Sequence, residues 1–165
     1  MRRVALDNPE RVAGLVLEAS PATLRGDTGL EGFVASVVSG LEDPTDPAFL
    51  RSFVVDTSSQ GVAADVIEEL VGELLTVPAR VWREMFAGLL AYDDTAELER
   101  ITAPTLLVWG DADGLVGRDA QEMLAGRLHN AELVVYPGVG HTPRWEDPGR
   151  FAADVVTFVE RLEAM

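Results

Sequence analysis

Two side chains, Asp113 and His141, have the types and the spacing that acid–base chemistry requires. Each follows a short apolar run closed by turn residues, one starting at Pro104 and the other at Val134. If both runs are parallel strands, their carboxyl ends share one sheet edge, where the strand-to-helix loops converge. A carboxylate bonded to one imidazole nitrogen fixes the ring tautomer, and the other nitrogen then takes a proton from a serine hydroxyl or a water. The pair therefore predicts an acid–base centre.

Parallel strands would bring Asp113 and His141 to one edge of a sheet, and the sequence predicts three such strands. Each predicted strand is a β-branched or Leu-rich run followed by turn residues: Val12–Leu17, Thr105–Trp109 and Leu133–Tyr136. Helical spacing follows the second and third runs, from Arg118 to about Leu128 and from about Pro148 to Leu162. This alternation is typical of β-α-β units, so the fold class is α/β.

The middle of the chain has helical spacing without a strand pattern. Its helical segments are separated by glycines and prolines: Leu30–Leu41, Asp46–Val55, Val62–Leu75 and Pro78–Leu90. We therefore expect one domain, with a core of residues 1–27 and 99–165 and a helical insertion of residues 28–98. The acidic residues of this insertion are interpreted as a solvated face.

Composition excludes several classes of partner. The 165 residues carry a formal net charge of -15, which disfavours nucleic acid and anionic membranes because both need a basic face. The chain has no cysteine and two histidines, so no cluster of metal ligands is expected, and no cofactor is predicted. No apolar run approaches the roughly 20 residues of a membrane span, and a cytoplasmic location is the default expectation.

Three motifs in this order resemble the C-terminal half of α/β-hydrolases. They are Asn8–Val12 leading into Gly14–Leu17, Ala103–Gly110 with Asp111 and Asp113, and Gly140–Pro143 with Glu146 and Pro148. The resemblance implies a partial α/β-hydrolase fold, with three parallel strands, flanking helices and a helical lid-like insertion.

By the same resemblance, Asp113 is the acid of a catalytic triad and His141 is its general base. Asp111 is an alternative acid, although the family usually places a turn residue there. Glu146 is interpreted as supporting the start of the last helix through the helix dipole. The implied substrate is a small ester or lactone held beneath the lid.

The nucleophile of the triad has no obvious counterpart in the chain. The family carries a serine in a Gly-x-Ser-x-Gly turn just before the helix that leads into Asn8–Val12, and Met1 begins inside that helix. The serine and the oxyanion-hole donors are therefore expected from an upstream or partner segment. Ser20 is the only candidate at the end of a predicted strand, whereas Ser58 and Ser59 are interpreted as turn or cap residues. The alternative is a non-catalytic binding or dimerisation module.

One strand is expected to lack a neighbour. Without the strands that precede it in the family, Val12–Leu17 would lie at an edge of the sheet and expose unpaired backbone groups. Such an edge tends to recruit another chain. We therefore expect a homodimer, or pairing with a partner chain, through this strand.

Overall fold

A computed structural model describes residues 1–59 and 61–164 of the chain. Its strands are β1 Leu15–Glu18, β2 Thr105–Gly110 and β3 Ala131–Tyr136. Its α-helices are α1 Arg2–Asp7, α2 Thr28–Ser36, α3 Pro47–Asp56, α4 Ala64–Leu74, α5 Ala79–Ala91, α6 Arg118–Arg127, α7 Pro143–Glu146 and α8 Pro148–Glu163. Short 3-10 helices cover Pro9–Arg11, Val38–Gly40 and Thr95–Arg100.

The strands form a parallel sheet in the order β1-β2-β3, with β2 in the centre. This confirms the predicted α/β class and the three parallel strands. All six residues of β2 are buried, as expected for a strand covered on both faces. In the part of the chain that the structure describes, β1 forms one edge of the sheet.

The predicted start of the first strand, at Val12, is wrong. The strand begins at Leu15, which pairs with Thr105 at the start of β2 and donates its N–H to the Pro104 carbonyl (2.9 Å). Val12 lies beyond that end of β2, just after the 3-10 helix Pro9–Arg11, so it has no β2 residue opposite it. An apolar run therefore gave the right element and the wrong boundary.

Alternate residues of β2 face two hydrophobic clusters. Leu107 contributes to a cluster with residues of α1, β1, α6 and the position just after α6: Ala5, Leu6, Leu15, Leu17, Leu124 and Leu128. Leu106 and Val108 contribute to a second cluster, which contains Tyr136, Val139 and Phe158 of α8. Helices thus cover both faces of the sheet, which leaves the strand ends free to carry polar loops.

The chain divides into two compact units. The sheet unit comprises Met1–Ala22, Thr57–Gly61 and the residues from Asp94 onward, and the helical unit comprises Thr23–Asp56 and Val62–Asp93. The helical unit contains α2 to α5, where the sequence predicts an insertion of residues 28–98. Residues 57–59 and Gly61 lie inside that predicted insertion, yet they group with the sheet.

The helical unit has its own hydrophobic cluster. Its buried members are Val38, Leu50, Val71, Trp82 and Phe86. Phe53 packs edge-on against Trp82, with ring centroids 5.1 Å apart. Aromatic pairs of this geometry add about 0.5–1.5 kcal/mol beyond the area that they bury.

The length and polarity of the helices bear on membrane insertion. Among the described residues, no helix has both the length and the apolar character needed to cross a bilayer.

Candidate active site

Asp113 lies in the loop after β2 and is held by backbone N–H groups of its own loop. Its Oδ1 atom accepts hydrogen bonds from Leu115 N (2.8 Å) and Val116 N (3.0 Å), and its side chain is 0% exposed. Both donors bind the same oxygen, so the other oxygen stays available. The side chain is thus buried and held in one direction by its own loop, with Oδ2 left to face another group.

His141 lies in the loop after β3 and contacts Oδ2, the second carboxylate oxygen of Asp113. Its Nδ1 atom is 2.9 Å from Asp113 Oδ2, and the ring is 29% exposed. An ionised carboxylate only accepts hydrogen bonds, so Nδ1 carries the proton and Nε2 is the acceptor left for another group. The structure thus brings together the two residues that the sequence predicts as an acid–base pair.

Asp111, the alternative acid, makes a different contact. Its Oδ1 atom accepts from Gly138 N (2.6 Å), and its own N–H donates to Tyr136 O (3.1 Å). Gly138 has a φ of 73°, in the left-handed region that favours glycine. Asp111 therefore joins the loop after β2 to the turn after β3, and Asp113 is the carboxylate that contacts the imidazole.

Gly110 allows the two loops to approach each other. Ala112 N donates to Val139 O (3.0 Å), which holds the loops backbone to backbone. A Cβ atom at position 110 would lie 2.1 Å from Val139 O and 2.4 Å from Gly140 O. No side chain fits this space, so glycine is required for Asp113 and His141 to meet.

The Gly110→Ala variant is expected to lose at least about 2 kcal/mol of unfolding free energy, because a methyl group would overlap rigid backbone atoms. Gly114→Ala is the matched control, since no atom lies within 4 Å of a Cβ at that position. Urea denaturation of both variants measures the difference. Equal losses in the two variants would contradict this account.

The end of β3 is anchored through Tyr136. The ring is fully buried, its hydroxyl donates to Asp154 Oδ2 (2.6 Å), and the Arg150 guanidinium stacks 3.8 Å from the ring centroid. Burial, together with the hydrogen bond to Asp154, raises the pKa of Tyr136 far above its ordinary value. The hydroxyl therefore remains a donor, and it fixes the strand end from which the His141 loop departs.

Glu146 makes contacts that the sequence does not predict. Its carboxylate accepts from Gly140 N (2.9 Å) and Thr142 N (3.2 Å), the residues on either side of His141. The start of α8 is capped by Asp147 instead, whose side chain accepts from Arg150 N (3.3 Å). Glu146 therefore acts on the loop before it in the chain.

Residues 57–59 contact the loop that carries His141, and the sequence does not predict this contact. His141 N donates to Thr57 O (3.0 Å), and Ser58 Oγ lies 2.7 Å from Thr142 Oγ1. Ser59 Oγ donates to Gly138 O (2.7 Å). The sequence offers one signal for these contacts, a run of three hydroxyl side chains between two helical segments. Such a run is equally typical of turn or cap residues.

Ser20, the internal candidate nucleophile, lies just after β1. Its hydroxyl accepts from Arg2 Nη1 (3.3 Å) and is 3.5 Å from Pro21 O. The preceding Ala19 has a φ of 42°, which is uncommon for a residue with a side chain. The guanidinium contact gives this hydroxyl a partner that cannot act as a base.

Across residues 1–59 and 61–164, no group of three or more His, Cys, Asp or Glu side chains could hold a metal ion. The sequence also contains no Gly-x-Ser-x-Gly motif.

Sequence comparisons show which known proteins this chain is similar to. A family model described as "Alpha/beta hydrolase family" matches residues 1–154. A 2-hydroxy-6-oxononadienedioate/2-hydroxy-6-oxononatrienedioate hydrolase of Paraburkholderia xenovorans is 30% identical over 94% of this chain and 56% of its own. A pimeloyl-[acyl-carrier protein] methyl ester esterase of Yersinia enterocolitica is 26% identical over 96% of this chain and 64% of its own. The chain thus spans less than two thirds of the length of these relatives.

Solved structures show the same partial coverage. A hydrolase from Pseudomonas aeruginosa matches with a TM-score of 0.80 and 25% identity, over 96% of this chain and 59% of that structure. An esterase from Exiguobacterium antarcticum matches with a TM-score of 0.78 at 16% identity, over 95% of this chain and 62% of that structure. The second likeness carries the fold alone.

Proposed function

Because the chain belongs to the alpha/beta hydrolase family, we propose that Asp113 and His141 are the acid and the general base of a serine-type hydrolase. The observation that carries this proposal is the 2.9 Å contact between His141 Nδ1 and the buried Asp113 carboxylate. In the reaction, Nε2 takes the proton of the nucleophile, and Asp113 stabilises the imidazolium that forms. His141 then returns the proton to the leaving group.

The proposed nucleophile is a serine from outside these 165 residues, on an upstream or partner segment. Two facts support this: the chain contains no Gly-x-Ser-x-Gly motif, and it spans 56–64% of the relatives described above. The same segment would supply the oxyanion-hole donors, whose individual loss costs roughly a hundredfold or more in kcat.

The edge strand β1 gives such a segment, or a second copy of the chain, a place to bind. Leu15 N and Ala19 N donate to the β2 side, so the N–H groups of Val16 and Glu18 point to the open side by alternation. A strand added parallel to β1 would end at the sheet edge that carries Asp113 and His141. Its following loop could then present a nucleophile to the imidazole.

The proposed substrate is a small ester- or lactone-like molecule. One relative is named for a methyl ester, and another for the hydrolysis of an oxononadienedioate or oxononatrienedioate. Both names agree with attack on a carbonyl group by an activated hydroxyl. The partner at the open edge of β1 and the substrate belong to one proposal. The partner would supply the nucleophile, and the substrate would be hydrolysed only when that nucleophile is present.

A serine-directed fluorophosphonate and a short-chain aryl ester test this function together. The purified chain alone is expected to show neither labelling nor turnover. After co-expression with a candidate segment that contains Gly-x-Ser-x-Gly, we expect labelling of that segment's serine and turnover that is lost in His141→Ala. Labelling of Ser20 in the chain alone, or turnover that survives in His141→Ala, would contradict the proposal.

A second candidate is a non-catalytic module that binds a ligand or dimerises. The absence of a Gly-x-Ser-x-Gly motif from the sequence favours it. Light scattering at micromolar concentration tests whether the chain pairs through the open edge of β1. A monomer without a bound partner counts against such pairing. Failure of every supplied serine segment to restore turnover, with a dimer in solution, would favour the module.

A further inference from the structure

The loop Gly138–Thr142, here called the His141 loop, is held from two sides by groups that take no part in the proton transfer proposed above. One side is the Glu146 carboxylate, and the other is the segment Thr57–Ser59, here called the strap. We infer that Glu146 is a positioning residue for His141, and that the strap is its structural counterpart. This inference rests on the proposed role of His141 as general base.

Both oxygens of Glu146 act only as acceptors. Oε1 accepts from Thr142 N (3.2 Å) and Thr142 Oγ1 (3.1 Å), and Oε2 accepts from Gly140 N (2.9 Å) and Ser59 N (3.0 Å). Hydrogen bonds to an ionised acceptor are roughly twice as strong as neutral ones. A single carboxylate therefore fixes the peptide groups on either side of His141 and ties them to the strap.

The strap completes the enclosure of the loop backbone. The amide of His141 itself donates to Thr57 O (3.0 Å), and Ser59 Oγ donates to Gly138 O (2.7 Å). The fit is close, because a Cβ at Gly140 would lie 2.6 Å from Ser59 N. Three consecutive N–H groups, those of residues 140 to 142, thus have acceptors supplied by the strap and Glu146.

This arrangement decides whether the imidazole reaches its acid. Asp113 is fixed by N–H groups of its own loop, so the 2.9 Å contact between Nδ1 and Oδ2 requires the His141 loop to be fixed independently. Catalytic groups work only when they are held within about 0.5 Å of the productive geometry. Glu146 supplies that restraint through the backbone N–H groups of the residues on either side of His141.

The substitution Glu146→Gln is a minimal test, because it keeps the shape and removes one acceptor. Whichever way the new amide is oriented, its NH2 group faces an N–H donor, from Thr142 on one side or from Gly140 and Ser59 on the other. Glu160→Gln is the matched control, since Glu160 is an exposed residue of α8. Asp113→Asn is the positive control, because it removes the partner of Nδ1.

The readout is the far-downfield proton NMR signal of the Nδ1–H that donates to Asp113, measured on the whole chain. The sequence has two histidines and His129 is exposed, so a far-downfield signal is assigned to His141. We expect the signal in the wild type and in Glu160→Gln, loss in Asp113→Asn, and exchange with water at least about tenfold faster in Glu146→Gln. The melting temperature of Glu146→Gln, measured by circular dichroism, controls for global unfolding.

The outcomes separate this inference from the function on which it rests. Absence of the signal from the wild type would overturn the Asp113–His141 pair itself. A normal signal with unchanged exchange in Glu146→Gln would overturn the positioning role and leave the pair intact. If Glu146→Gln does not fold, the Ser58→Ala/Ser59→Ala variant applies the same criterion, since it removes two strap hydroxyls. Unchanged exchange in that variant would overturn the inference.

Discussion

Replacing Asp113 with Asn is expected to lower kcat by about 10⁴-fold in the complemented enzyme, that is, in this chain co-expressed with a segment that supplies the nucleophile. An effect of this size is known for a triad whose acid becomes an amide. The structure supplies the reason. Leu115 N and Val116 N both donate to Oδ1, so they hold the amide oxygen in that place and turn the NH2 group toward His141. Nδ1 must then accept a hydrogen bond, and the proton moves to Nε2. A ring protonated at Nε2 cannot act as the base.

This prediction can be measured with and without turnover. Turnover of the aryl ester by the complemented enzyme gives kcat, and ¹⁵N chemical shifts of the His141 ring in the chain alone report the tautomer. Asp111→Asn is the control, because Asp111 accepts from Gly138 N and an amide oxygen can replace that acceptor. If Asp111→Asn lowered kcat as much as Asp113→Asn, or if the tautomer were unchanged in Asp113→Asn, the assigned roles would be wrong.

The proximity of Asp113 and His141 could be predicted from the sequence because local patterns encode it. The strands that precede Asp113 and His141 are continuous apolar runs followed by turn residues, and parallel strands bring their carboxyl ends to one edge. The choice between Asp113 and Asp111 needed the structure, because the two carboxylates are two residues apart in the same loop. Their partners distinguish them, because Asp113 contacts His141 Nδ1 and Asp111 accepts from Gly138 N.

The groups that hold the His141 loop could not be predicted in the same way. Ser58 and Ser59 lie 84 and 87 positions from their partners Thr142 and Glu146, and neither belongs to a periodic pattern. Glu146 lies just before α8, so the sequence favours an interaction with the start of that helix. In the folded chain its carboxylate accepts a hydrogen bond from Gly140 N, which the sequence does not indicate. Contacts of this kind depend on the folded path of the chain, which hydrophobic periodicity does not report.

Arg2 was also missed, because a cation near the start of a chain reads as a surface residue. Its guanidinium is buried, with a side-chain exposure of 8%, and it pairs with Asp94 at 2.8 Å. It also donates to Pro21 O (2.6 Å) and Ala22 O (3.0 Å), just after β1. One side chain thus joins α1, the segment after β1 and the start of the 3-10 helix that leads toward β2.

The Arg2→Met variant is expected to lose about 3–5 kcal/mol of unfolding free energy, because it removes the guanidinium that pairs with the buried Asp94 carboxylate. Arg3→Met is the control, since Arg3 pairs with Asp7 and Glu97 at the surface, where such pairs contribute about 0–1 kcal/mol. Urea denaturation with unchanged m-values gives both losses. A loss in Arg2→Met no larger than that in Arg3→Met would show that the buried pair does not stabilise the sheet unit.

A double variant separates the charge from the carbonyl contacts. Arg2→Met/Asp94→Leu removes the buried charge as well, and replacing both members of a buried pair with apolar residues is often close to neutral. Here we expect only partial recovery, because the Pro21 and Ala22 carbonyls still lose their donor. Full recovery would assign the whole effect to the ion pair. No recovery would assign it to the carbonyls after β1, which lie at the carboxyl end of the strand where the proposed nucleophile must be brought to His141.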